Sequence, residues 1–189
     1  DEIPTGYSGS EWDDLDETET GAYAFYNDDP ANAEIYGNLY NWYAVDDSRN
    51  IAPEGWHVPS DSEQTTLINY LGGESVAGGK MKESGHEHWN YSNGQITSEA
   101  TNESGFTALP SGARTADNYI GQGIKVYFWS TSDEELNPMD KQAWTRKLDH
   151  SGSDVNRGGD YKRRGLSVRC LADNVPPTAD DASATINED

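Results

Sequence analysis

Asp154, Asn156 and Asp160 alternate with glycines and small residues in the segment Asp149 to Arg164, DHSGSDVNRGGDYKRR. Carboxylate and amide oxygens at this spacing, on a backbone free to turn its carbonyls inward, suit a hard cation. Ca2+ takes about six to eight oxygen ligands at roughly 2.3–2.6 Å. Asp133 and Glu134, in Ser130 to Asp140, supply further oxygens. The same residue types also form turns by bonding to their own backbone, and both readings stand. The D-x-[DN]-x-[DN]-G spacing of an EF-hand is missing. Arg157, Lys162, Arg163 and Arg164 lie in the same stretch. They are either an anchor for an anionic ligand, with Arg157 at a loop tip, or local charge balance in an acidic chain.

Catalytic patterns are scarce. His57, in GWHVPS, has no nucleophile or acid close in sequence and is expected to be structural, bonded to backbone. His86 and His88, in SGHEHWN, have a spacing that suits zinc on a strand. No third ligand is evident, so a solvated loop is expected. No G-x-S-x-G, P-loop or G-x-G-x-x-G is present.

The chain of 189 residues has the length of one ordinary domain. Only 33% of it is hydrophobic, but six Trp and eleven Tyr can build a core from a few large rings. A net charge of −21 opposes binding to nucleic acid, whose phosphates need a basic footprint, and to anionic membranes. It suits secretion into salty, calcium-rich surroundings. Cys170 is the only cysteine, so no internal disulfide can form. A buried, reduced thiol in a last strand is expected, beside Val168 and Leu171. No signal peptide or membrane-spanning run is evident, and the abrupt ends suggest a segment of a longer chain.

Two helices are predicted. In the first, Tyr36, Leu39, Tyr40 and Tyr43 form one stripe at i, i+3, i+4 and i+7, after a start at Pro30 or Asn32. The second opens on Ser60 with Glu63 three residues on, a capping box. It buries Leu67, Ile68 and Leu71 and stops at Gly72-Gly73. Short runs read as strands at Gly55–Val58, Phe106–Leu109, Val126–Ser130, Ala143–Leu148 and Leu166–Leu171. Residues 1–19 carry eight carboxylates and no Lys or Arg, and read as an irregular segment tacked down by Trp12 and Leu15. Helices followed by a loop-rich antiparallel sheet make an α+β layout.

Seven segments run in a recognisable order: TGAYAFYNDDP, YGNLYNWYAV, PEGWHVPSDSE, YLGGESVAGGKMKE, TNESGFTALPSGAR, FWSTS and LSVRCL. The chain thereby resembles the Fibrobacter succinogenes major paralogous domain, a family of bacterial surface and secreted modules. The resemblance implies a C-type-lectin-like fold related to sulfatase-modifying factors, with two helices packed on a loop-rich, mainly antiparallel sheet. Many relatives pair a cysteine before the Pro of PEGWHVP with the one in SVRC. Here that position is Ala52. The related sulfatase-modifying enzymes rely on cysteines, which one cysteine cannot reproduce, so no enzyme is expected.

In such a fold the loops of the last third form the ligand face. They are Ala113–Gly123, Ser130–Asp140 and Asp149–Arg164, and Asp133, Glu134, Asp154, Asn156 and Asp160 are the expected metal ligands. Asp117, Asn118, Tyr119, Ser132, Arg157 and Tyr161 are the expected ligand contacts. Tyr161 is favoured as a stacking surface and Trp129 is assigned to the core. The chain also resembles the calcium-dependent peptide-binding domains of RTX adhesins. That implies a module of a large extracellular bacterial adhesin, in which a loop-bound Ca2+ captures the C-terminal carboxylate of peptides or proteins on target cells. A calcium-dependent lectin is the alternative, although the lectin-like EPN and QPD tripeptides are absent. On this reading residues 1–19 are an acidic N-terminal segment and 20–172 the ligand-binding domain. Residues 173–189 are a linker and the first strand of a following immunoglobulin- or cadherin-like repeat.

Overall fold

A computed structural model describes residues 2–90, 100–134 and 141–174. Most of the tail predicted to start a further repeat, from 175 onward, lies outside the described residues, as does the part of Ser130–Asp140 beyond 134. The chain is a mixed α and β structure with small sheets and short helices, and the sheets are mainly antiparallel.

The acidic N-terminal segment is helical, not irregular. Helix α1 (Gly9–Thr18) opens on Ser8, whose hydroxyl accepts from Glu11 N while Glu11 reaches back to Ser8 N. Reciprocal capping of this kind satisfies two otherwise unpaired donors. Trp12 and Leu15 are buried as expected, three residues apart on the inner face. Trp12 donates from Nε1 to Arg163 O at 2.7 Å and lies 4.2 Å beneath the Arg114 guanidinium.

The tyrosine stripe does not lie on one helix. After strand β1 (Tyr23–Ala24), α2 (Pro30–Tyr36) starts where expected, with Pro30 at its first position and Asp29 as cap. It stops at Gly37, which adopts φ +77°, a conformation open to glycine at little cost. Leu39–Tyr40 then form β2, paired antiparallel to β1. One helical turn, α3 (Trp42–Val45), follows from Asn41. The Asn41 side chain is fully buried, accepts from Ala22 N and Ala44 N, and donates to Thr20 O. A buried amide with its bonds made fixes this corner and breaks the helical period.

Strand β3 (Trp56–His57) pairs with β9 (Leu171–Ala172). Helix α4 (Asp61–Tyr70) has the predicted Ser60–Glu63 capping box, buries Ile68 and Leu71 with Leu67 packed alongside, and ends at Gly72-Gly73. Helix α5 (Glu74–Met81) was not foreseen. Its Gly78 lets the helix lie against a turn further along the chain, since a Cβ there would meet Asp154 O at 2.5 Å.

The main sheet has the order β5-β4-β6-β7-β8. Its strands are β4 (Ser111–Arg114), β5 (Tyr119–Gln122), β6 (Lys125–Glu134), β7 (Gln142–Asp149) and β8 (Val155–Tyr161). The β4–β6 contact is parallel and the others are antiparallel. Strands β6 and β7 extend the predicted runs. Phe106–Leu109 contributes only a bridge at Ala108, and Leu166–Leu171 only bridges at Leu166 and Ser167 before β9. Two predicted loops are sheet: β8 occupies much of Asp149–Arg164, and β4 with β5 much of Ala113–Gly123. Pairing with β7 decides the state of β8, since strand preference depends on neighbours more than on intrinsic propensity. Two clusters form most of the core. One centres on Ile68, Met81, Trp89, Phe128 and Leu148, the other on Trp42, Tyr43, Val58, Trp129 and Leu166. Trp129 is fully buried, as expected.

Candidate functional site

The five expected metal ligands separate into two groups along β8. Asn156 stands opposite Lys147 and Asp160 opposite Ala143. That offset of four positions corresponds to about 13 Å of strand. Asp154 accepts from the Asn156 amide at 2.6 Å at the hairpin end. At the other end, Asp133 also pairs with Ala143, from β6, so Asp133 and Asp160 flank one residue from opposite sides. Asp133 contacts Lys162, and Asp160 takes Arg164 at 3.1 Å. Burial pushes the Asp160 carboxyl above its ordinary range, against the opposing pull of Arg164. Glu134 lies against Gly159, with Oε2 buried and without a hydrogen-bond partner among the described residues.

The cationic cluster balances charge internally. Lys162 sits 4.0 Å over Trp42, and Arg163 bridges to Asp13 and Asp16. Arg157 is on strand β8, not a loop tip. It forks onto Asp61 with Nε at 2.9 Å and Nη2 at 3.0 Å, and its guanidinium covers Trp144 at 3.4 Å.

Three of the six expected ligand contacts, Tyr119, Ser132 and Arg157, already hold partners. Tyr119 donates to Asp28 at 2.6 Å, and burial followed by this bond pushes its hydroxyl pKa up. Asn118 O accepts from Thr115, Asp117 lies against Gly9, and Ser132 Oγ accepts from Asp61 N. Tyr161 is exposed, with Arg163 4.9 Å over its ring.

His57 bonds to carboxylates, not to backbone. Nδ1 is 2.6 Å from Asp173 and Nε2 is 3.0 Å from Glu63. These bonds, Asp173 first, raise its pKa. The stabilisation is therefore fully present below the ordinary histidine value of about 6.5 and fades as pH rises through the higher folded value. Melting temperatures measured from pH 6 to 9 should show this loss, and His57→Gln should flatten it.

A second site emerges where α4 and α5 cross β6 and β7. Leu67, Ile68, Met81, Phe106 and Phe128 line a pocket of ≈ 130 Å³, with Gln64, Arg146, Arg169 and Cys170 around it. Arg146 is 2% exposed. Its Nη1 donates to Asp61 Oδ1 at 2.7 Å, and its Nη2 to Thr65 Oγ1 at 2.7 Å and Asp61 O at 3.2 Å. Its Nε has no partner among the described residues, nor has Gln64 Oε1. Gln64 is oriented through Nε2, which donates to Trp129 O. Gln64 and Arg146 thus border the apolar pocket while each holds one buried polar atom without a partner among the described residues. Two guanidiniums, Arg146 and Arg157, share the Asp61 carboxylate, and Glu63 adds a carboxylate to the pocket's lining.

The family model of the Fibrobacter succinogenes major domain matches residues 3–172. The chain belongs to this family. The match includes α1 and runs through β9. No curated protein and no solved structure matches the chain.

In this Fibrobacter major domain Cys170 is half-buried, not fully buried, and precedes β9 rather than lying within it. Burial pushes its thiol pKa up. It borders the apolar pocket. Asp61, Gln64, Arg146 and Arg169 escaped the sequence reading because they are scattered over more than a hundred residues. The only local signal was the position of Asp61 and Gln64 in the first turn of a well-marked helix. A second, polar cleft of ≈ 470 Å³ includes Glu19, Asp46, Asp47 and Asp133, with Lys141 and Lys162. No helix among the described residues is long and apolar enough to cross a membrane.

Proposed function

We propose that this Fibrobacter major domain is a non-enzymatic recognition module of a large extracellular bacterial adhesin. In this reading it has a C-type-lectin-like fold and captures peptides on target cell surfaces by their C-terminal carboxylate. The observation that carries the reading is the apolar pocket lined by Gln64 and Arg146, each of which keeps one buried polar atom, Oε1 and Nε, without a partner among the described residues. A peptide's last residue presents the complementary set. Its carboxylate accepts from Arg146 with Arg169 nearby, its amide N–H donates to Gln64, and its aliphatic side chain fills the pocket. An apolar cavity of about 150 Å³ accepts benzene, so the space here suits one side chain of Val or Leu size. Charge-assisted bonds to a guanidinium are among the stronger polar contacts.

Calcium belongs to the same proposal at the polar cleft, where Asp46 stands with Glu19, Asp47 and Asp133, and the ion would compete with Lys141, Arg49 and Lys162 for those three carboxylates. Hard carboxylate oxygens are the donors Ca2+ prefers. Neighbouring repeats in the same adhesin chain would present the module.

Calorimetry with tripeptides ending in Val or Leu, as free acids and as amides, tests the reading. The acids should bind and the amides should bind at least tenfold more weakly. Equal binding of acid and amide would overturn carboxylate capture. Maleimide labelling of Cys170 should slow when the acid is bound. Calcium should strengthen binding relative to chelator, and identical affinity in both would remove calcium from the proposal. A glycan array run in parallel tests the lectin alternative.

A further inference from the structure

Away from both cavities, Glu83, Glu87 and His88 each offer one ligand atom, and the three atoms lie within 4.8 Å of one another. The framework holds the first and last of them. Glu83 N and Trp89 Nε1 both donate to the same carbonyl, Ala108 O, at 3.1 and 3.0 Å. Trp89 is 1% exposed, which pins the residue beside His88 into the core. The His88 ring meets Tyr36 edge-on at 5.6 Å. His88 Nδ1 lies 2.9 Å from both Glu83 oxygens, and the two side chains are only 20% and 16% exposed. Glu87 approaches from the solvent side. A histidine–carboxylate pair needs no third member, and the second carboxylate adds a repulsion that a bound cation would relieve.

The donor set discriminates among cations. Ca2+ selects oxygen ligands throughout, whereas Zn2+ takes imidazole nitrogen and carboxylate oxygen at about 2.0–2.2 Å. Ligands of a tetrahedral ion at that distance stand roughly 3.3 Å apart, a spacing between the 2.9 Å from His88 Nδ1 to Glu83 and the 4.8 Å limit for all three atoms. We propose that Glu83, Glu87 and His88 form a surface site for a divalent transition metal of the Zn2+ type, held by three protein ligands. The remaining position, on the exposed side, is open to water or to a donor from a partner. On binding, the metal takes the place of the proton on His88 Nδ1, which is released to the buffer. The site does not depend on the peptide pocket or on calcium.

Titration of the folded chain with ZnCl2 in chelator-free buffer, followed by calorimetry, tests this directly. One equivalent should bind, and millimolar CaCl2 should not displace it. Co2+ in its place should give the visible absorption of a low-coordinate centre. Glu83→Gln and His88→Ala should each weaken binding by more than the roughly 10–100-fold that loss of a mere supporting partner costs. Glu87→Gln tests the exposed ligand without touching the core and should also weaken binding at least tenfold. His86→Ala should retain it. Absence of saturable Zn2+ binding would overturn the assignment. So would full binding in His88→Ala or in Glu87→Gln, or loss of binding in His86→Ala.

Discussion

Asp61→Ala is expected to destabilise the protein by about 3–5 kcal/mol, the cost typical of removing one partner from a buried ion pair. Asp61 is the first residue of α4 and receives Arg146 Nη1 at 2.7 Å and Arg157 Nε at 2.9 Å. Arg146 is 2% exposed, so the substitution leaves a guanidinium desolvated and without its counter-charge. The helix also loses a carboxylate from its positive end. Urea unfolding at pH 7 measures the loss, and Asp61→Asn should fall between wild type and alanine. A loss under 1 kcal/mol would show that Arg146 reaches water or another carboxylate. The acid limb provides a second check. Burial works to raise the Asp61 pKa, but the hydrogen bonds from Arg157 and Arg146 outweigh it and hold the carboxyl below its ordinary range. Stability from this group is therefore present above the unfolded value of about 3.9 and is lost as pH falls through the lower folded value. Asp61→Ala should remove that part of the acid dependence.

Trp129→Ala should cost about 3–5 kcal/mol, the range for truncating a buried large aromatic. For a chain of this size that corresponds to a melting temperature lower by roughly 6–20 °C. Trp129 is fully buried in the cluster with Trp42, Tyr43, Val58 and Leu166. Its Nε1 donates to Tyr40 O at 2.8 Å, its own carbonyl accepts from Gln64, and its N donates to Ser167 O. The indole thus ties β6 to β2 and packs in the cluster with Leu166, while the backbone of Trp129 holds Ser167 and Gln64. Trp129→Phe separates the two contributions. It keeps most of the apolar contact and removes only the Nε1 bond to Tyr40 O, which still accepts from Leu166 N, so its cost should be about 0.5–1.5 kcal/mol. Calorimetric melting of both variants would show which term dominates. A phenylalanine variant as unstable as the alanine one would place the cost in the hydrogen bond, not in the ring.

The Ser60–Glu63 capping box and the Gly72-Gly73 stop of α4 were legible because each is satisfied within one turn of chain. The same signal, Ser8 with Glu11, also stands at α1. There it was masked by a run of carboxylates that reads as solvated chain, and the burial of Trp12 and Leu15 against distant partners makes the helix worthwhile. The tyrosine stripe shows the opposite failure. Its spacing is helical, but Gly37 at φ +77° and the buried Asn41 divide it into helix, strand and turn. Periodicity reports which residues are apolar, not whether the backbone between them is continuous.

Strand β8, with Asn, Arg, Gly, Gly and Asp in its middle, carries no period-2 pattern; its ladder with β7 supplies its order. Family membership and an acidic, aromatic, mixed α and β domain follow from residue types and short motifs. The clustering of side chains does not. Asp154, Asn156 and Asp160 are close in sequence, yet an extended strand carries Asp160 away from the other two, at about 3.3 Å per residue. Gln64, Arg146 and Arg169 are far apart in sequence, and helix-on-sheet packing brings them to one pocket. Local hydrogen bonds settle helix ends, whereas long-range burial settles which distant groups meet.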